Sequence, residues 1–158
     1  MAAAHAAEEQ LPQDATWRAY LGLSREFFTA LERGLGAEAG VSVADLELLE
    51  PLLAAGEPGL RAKDLAAAAE WQDSRVSHQL RRMELRGLGT RSRDRQDARG
   101  TVVALTEAGT AAARAAQATR RVMVGDLLLG PLDAAQVRSL EEIAALVRAR
   151  VAAACLGR

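Results

Sequence analysis

Asp73-Ser74-Arg75-Val76-Ser77-His78-Gln79-Leu80-Arg81-Arg82-Met83-Glu84-Leu85-Arg86-Gly87 is the stretch that decides how the chain is read. Laid on a helix, Val76, Leu80 and Met83 fall on one side, at the spacing that buries an apolar stripe. Ser74, His78 and Arg81 fall opposite, flanked by Ser77 and Arg82. All of these can donate hydrogen bonds to phosphates or base edges, and arginine is the usual bidentate reader of guanine. An ordinary solvated face favours Glu and Lys, which this face almost lacks. Gly87 suits a left-handed cap that ends the helix.

Just upstream, Ala62 to Glu70 forms a short helix packed through Leu65 and its alanines, and Trp71-Gln72-Asp73 turns the chain into the second helix. Two short helices joined by a tight turn make a helix-turn-helix unit. Just downstream, Leu88–Arg93 and Thr101–Leu105 read as strands, the second alternating through Val102, Val103 and Leu105. The polar segment Asp94–Gly100 between them predicts a hairpin with a charged tip, a wing. Leu60-Arg61 offers a third short strand.

The charge pattern agrees. The whole chain carries a formal charge of −1, yet Arg75 to Arg99 holds eight arginines against Glu84, Asp94 and Asp97, a net +5. A basic patch on an otherwise acidic protein is an electrostatic footprint for an anionic polymer.

Further out, Trp17, Tyr20, Leu21, Phe28, Leu31 and Leu35 mark a first helix that starts after Asp14 or Thr16 and ends near Gly36–Gly40. Those glycines follow no strand, so they mark a helix end and not a phosphate loop. Ser42 and Asp45 open a second helix that continues through Leu48, Leu49 and Leu52, with Val41 stapled to Leu46. After the wing, Thr106-Glu107 caps a long alanine-rich helix to about Leu129, which Gly130-Pro131 breaks. Asp133 and Gln136 form a capping box for the last helix, whose stripe is Val137, Leu140, Ile143, Val147 and Val151. With 49% hydrophobic but only 3% aromatic residues, the core is built from Ala, Leu and Val in close-packed helices.

Catalytic and metal readings lack parts. The two histidines are His5, in the tail, and His78, on the basic helix, so one subunit assembles neither a metal cluster nor a histidine triad. Glu141 and Glu142 are adjacent on a helix and face apart. Lone Cys155 forms no intrachain disulfide and supplies no Cys-based metal spacing. Met1–Gln10 lacks the cationic start and apolar run of a signal peptide, and no stretch reaches the apolar length of a membrane span. A cytoplasmic protein without catalytic residues, metal or cofactor is expected.

The run from Leu65 to Gly109 resembles the MarR family of winged helix-turn-helix regulators. It does so through Asp64-Leu65-Ala66, the Ser74–Arg86 helix ending Arg86-Gly87-Leu88, the wing Asp97-x-Arg99, and Leu105-Thr106-Glu107-x-Gly109. Gly89 departs from the Val or Ile usual at the start of the wing and leaves the hairpin register open. The resemblance implies a mainly α fold, a winged helix-turn-helix with N- and C-terminal dimerisation helices. Residues 1–13 are expected to be a flexible tail and 14–158 one unit, with the DNA-binding lobe near 41–106 and the dimerisation helices near 14–40 and 107–155. It further implies a transcriptional repressor that binds a pseudo-palindromic double-stranded operator as a homodimer. Ser74, Arg75, Ser77, His78, Arg81 and Arg82 would lie in the major groove. Arg93, Arg95 and Arg99 would serve the wing, with Asp97 orienting Arg99 in the minor groove. A small aromatic or anionic effector is also implied, and Trp17, Tyr20, Phe27 and Phe28 are the candidate lining, against the plainer reading of core or dimer interface. The alternative is a winged helix that binds protein instead of DNA.

Overall fold

The computed structural model describes residues 2–94 and 100–156, with side chains within 13–94 and 100–155. Its elements are α1 (Ala2–Ala39), α2 (Val43–Ala55), β1 (Leu60–Arg61), α3 (Ala62–Ala68), α4 (Asp73–Leu85), β2 (Gly89–Arg93), β3 (Thr101–Leu105), α5 (Glu107–Met123), a π-helical segment (Val124–Leu129) and α6 (Ala134–Leu156). The chain divides into two compact units, with the boundary between Arg121 and Val122. The sequence predicts one unit over residues 14–158, with its DNA-binding lobe near 41–106.

In the first unit, local chemistry sets each end. Ser42 caps α2: its side chain accepts from the Asp45 backbone N–H, and Asp45 reaches back to the Ser42 N–H, a complete capping box. The Gly87 N–H donates to the Glu84 carbonyl and the Leu88 N–H to the Met83 carbonyl, both at 2.9 Å. That pair of bonds ends α4 in a Schellman motif, and Gly87 takes the positive φ of 70° it needs. Thr106 opens α5 by accepting from the Gly109 N–H at 2.9 Å, while its hydroxyl donates to the Gly87 carbonyl at 2.6 Å. The start of α5 is thereby pinned to the corner between α4 and β2. A side chain on Gly109 would stand 1.7 Å from the Leu88 carbonyl oxygen, so the LTEAG stretch ends in glycine for lack of room.

The core of this unit is aliphatic. Leu35, Leu48, Leu49, Leu52, Leu65, Val76, Met83 and Val103 are all fully buried, each contributing about 1.5–3 kcal/mol relative to exposure. They bring the end of α1, the helices α2, α3 and α4, and strand β3 together. The sheet is antiparallel in the order β1-β3-β2. Gly89 pairs with Leu105 and Arg93 with Thr101, which settles the register that Gly89 had left open. The Asp94 N–H donates to the Gly100 carbonyl at 2.9 Å and closes the base of the hairpin.

Three expectations change. Helix α1 begins at Ala2, so residues 2–13, expected to be a flexible tail, are helical; alanine, the residue of highest helix propensity, holds five of the first six of these positions. The stripe assigned to the first helix is split, with Leu31 and Leu35 buried but Trp17, Tyr20 and Phe28 more than half exposed. The long helix after the wing also does not stay α-helical to Leu129. It continues from α5 as a π-helical segment, in which the Gly130 N–H donates five residues back to Gly125.

In the second unit, Asp133 and Gln136 form the expected reciprocal capping bonds at 2.8 and 2.9 Å. Leu140, Ile143, Leu146, Val147 and Val151 of α6 are all exposed. Among the described residues, no helix is long and apolar enough to cross a membrane.

Candidate nucleic-acid interface

Helix α4 places its side chains as the sequence pattern requires. Val76, Leu80 and Met83 are buried to 2% or less, and Ser74, Arg75, Ser77, His78, Arg81 and Arg82 are all exposed. Leu85, also on the outer side, is 83% exposed. Arg81, Arg82 and His78 make no hydrogen bond or ion pair with any other described residue, so their donors are open to an external acceptor.

The remaining arginines of the basic stretch divide by partner. Arg86 donates through Nη1 to Asp45 Oδ2 at 2.7 Å and through Nη2 to the Gly40 carbonyl. Arg91 on β2 pairs with Glu84 on α4; the contact joins the wing to the helix and raises the Arg91 pKa above its ordinary value, chiefly through that hydrogen bond. Arg75 lies with its guanidinium 3.5 Å from the centroid of the Trp71 ring. Arg93 is exposed at the end of β2. Beside it, Asp94 is bound by Arg61 at 2.6 Å, which ties the base of the wing to β1. Arg95, Asp97 and Arg99 lie outside the described residues.

Asp45 is the functional residue that sequence reasoning undervalued, since it was read only as a capping group. It is fully buried and its two oxygens collect four donors. Oδ1 accepts from Gln79 Nε2 at 2.7 Å, and Oδ2 accepts from the Ser42 N–H and Oγ, each at 2.8 Å, and from Arg86. Burial pushes its carboxyl upward, but the Ser42 backbone bond, the Arg86 bond, the Ser42 hydroxyl and the Arg86 charge together outweigh that and hold it below 3.8. Gln79 and Arg86 lie at the middle and end of α4, so one carboxylate on α2 fixes the helix that carries the exposed donors. The signal was present in the sequence: Asp45 shares a helical face with Leu48, Leu49 and Leu52, and an acid inside an apolar stripe must find partners.

The candidate effector residues do not form one pocket. Trp17 and Tyr20 stack at 6.0 Å, and Phe27 meets Phe28 edge-on at 5.7 Å. Of the four, only Phe28 lines the cavity of about 610 Å³ bounded by α1 and α2, with Arg25, Thr29, Glu32, Arg33, Val43 and Glu47. Among the described residues, no group of three or more His, Cys, Asp or Glu is placed to hold a metal ion.

No protein-family model and no curated protein matches the sequence. Solved structures do. AbsC, a MarR family transcriptional regulator from Streptomyces coelicolor, superposes with a TM-score of 0.79 at 28% identity, over 89% of this chain and 94% of AbsC. The MarR family transcription regulator SP03579 gives 0.74 at 27% identity, over 92% and 93%. Sco3205, a MarR family transcriptional regulator from Streptomyces coelicolor solved in complex with DNA, gives 0.78 at 31% identity, over 90% of this chain and 86% of Sco3205. The helix-turn-helix, the wing paired as β1-β3-β2 and a relative of that identity over nearly its whole length place the chain in the MarR family of transcriptional regulators.

Proposed function

We propose that the chain is a repressor that binds a pseudo-palindromic duplex operator as a homodimer, with α4 in the major groove and the wing in the minor groove. The observation that carries this is the outer face of α4. Its serines, His78, Arg81 and Arg82 are exposed over a fully buried apolar side, and the last three have no partner among the described residues. Phosphates and base edges are the acceptors such a face suits. The DNA complex of Sco3205 supports the same reading. In the wing, Arg93, Arg95 and Arg99 would approach the minor groove, with Asp97 orienting Arg99, because a narrow groove concentrates negative potential around an inserted guanidinium.

Two further features belong to this reading. The exposed apolar residues of α6, and separately Trp17, Tyr20, Leu23 and Phe28 of α1, support association with a second copy, since apolar patches of that kind mark interaction surfaces. The cavity beside Phe28 sets Arg25 and Arg33 against Glu32 and Glu47; a small aromatic or anionic effector that releases the DNA would have to stack on Phe28 and meet the two arginines there.

Mobility shift with duplexes selected from a random pool, repeated across salt concentration, tests the proposal. Expected is a site whose two half-sites lie about one helical turn apart, with affinity that falls steeply as salt rises. No salt-dependent shift with any duplex would refute it and favour a protein-binding winged helix.

A further inference from the structure

Trp71 sits in the turn between α3 and α4, half-buried, and is held at two points. Its indole Nε1–H donates to Glu47 Oε2 on α2 at 2.7 Å, which fixes the plane of the ring. The Arg75 guanidinium lies on that ring at 3.5 Å from its centroid. Arg75 is exposed in the first turn of α4 and forms no ion pair or hydrogen bond with another described residue.

Stacking uses only the face of a guanidinium. The N–H donors all lie in its plane and point outward from the edge, in the fork that matches two phosphate oxygens. A ring beneath Arg75 and a phosphate at its edge are therefore compatible, not competing. An unstacked arginine on a helix surface samples many rotamers and loses that freedom when it binds. One already lying on a fixed ring has less to lose, so affinity rises without a new contact.

We infer that Trp71 is a positioning residue: anchored to α2 through Glu47, it holds Arg75 as a pre-set phosphate clamp at the start of the groove-facing helix. The inference rests on the DNA reading of α4. Neither Trp71 nor Glu47 touches the nucleic acid in this arrangement; they act through Arg75.

A double-mutant cycle on mixed-sequence duplex DNA, titrated between roughly 50 and 200 mM salt, tests it. Arg75→Ala should weaken binding and lower the salt slope by about one ion. Trp71→Leu leaves the positive charge in place, so the slope should stay as in the wild type. Affinity should still fall about two- to fivefold, the equivalent of an exposed cation–π contact. The double variant should bind no worse than Arg75→Ala alone, because the ring has nothing left to position. Arg75→Lys, at an exposed site with similar helix propensity, keeps the charge but not the planar fork, and should lose affinity as Trp71→Leu does. This arm does not depend on the folding of the tryptophan variant. Wild-type affinity for Trp71→Leu or Arg75→Lys, or losses that multiply in the double variant, would overturn the clamp while the DNA reading stands. Absence of any salt-dependent binding by the wild type would overturn both.

Discussion

Asp45→Asn removes one charge and almost no volume, and its cost can be worked from the four donors around that carboxylate. Oδ1 can remain an acceptor for Gln79 Nε2. The amide NH2 then occupies the place of Oδ2, where the Ser42 N–H and Arg86 Nη1 lose their acceptor and the Ser42 hydroxyl must turn from donor to acceptor. Losing a charge-assisted hydrogen bond costs about 1.5–3 kcal/mol, and losing half of a capping box about 1 kcal/mol more. Breaking a fully buried pair would cost about 3–5 kcal/mol, but the Arg86 side chain is 39% exposed, and water recovers part of its loss. About 3 kcal/mol is the expected destabilisation in urea unfolding at neutral pH. The folded carboxyl is held below its ordinary 3.8, so its contribution is complete above that value and is lost as pH falls through the lower folded value. Wild type and Asp45→Asn should therefore converge in stability as the pH is taken below 3.8. A neutral-pH difference under about 1 kcal/mol, below the range expected for a buried charged hydrogen bond, would refute the reasoning. So would a difference that persists unchanged into acid.

Gly109→Ala places a carbon 1.7 Å from the Leu88 carbonyl oxygen and should cost about 1–3 kcal/mol as the start of α5 is forced away, read by denaturant unfolding. Leu140→Glu with Val147→Glu should give a folded monomer, since both residues are already exposed in one protomer; sedimentation showing an unaltered dimer would remove α6 from the interface. Arg81→Ala should relax sequence preference at one position in each half-site at a cost of about 1–3 kcal/mol, read by selection from random duplexes, whereas a loss that is uniform across sequences would make Arg81 a phosphate contact.

What could be read from the sequence was whatever depends on periodicity and on end chemistry. Val76, Leu80 and Met83 repeat at helical spacing and are buried. Gly87, Thr106 and the pair Asp133 and Gln136 are local signals, and each ends or starts its helix as expected. Tertiary competition was less visible. The aromatics of α1 form a regular stripe, but the first unit packs only the lower turns, at Leu31 and Leu35. An amphipathic pattern shows that a face is to be covered and not what covers it. The π-helical segment was invisible for a different reason: Val124 to Leu129 contains nothing that a helical wheel separates from an α-helix. The shift shows in the backbone bonding, as in the hydrogen bond from Gly130 to Gly125.

The arginines show where counting charges stops being informative. From sequence, the run from Arg75 to Arg99 is one basic patch, since every guanidinium contributes the same unit charge. In the fold they are not equivalent, because an arginine whose donors are satisfied internally has little left to offer a phosphate. Arg86 is committed to Asp45 and Gly40, and Arg91 to Glu84. Both bonds hold α4, the first to α2 and the second to the wing strand. Arg81 and Arg82, on the same helix, make no such bond with any described residue. The committed cations fix the angle of the helix and the uncommitted ones face outward from it. Deleting a member of the first group should therefore cost fold stability as well as binding, and deleting one of the second should cost binding alone. An internal carboxylate partner, Asp45 for Arg86 or Glu84 for Arg91, is what separates the two groups.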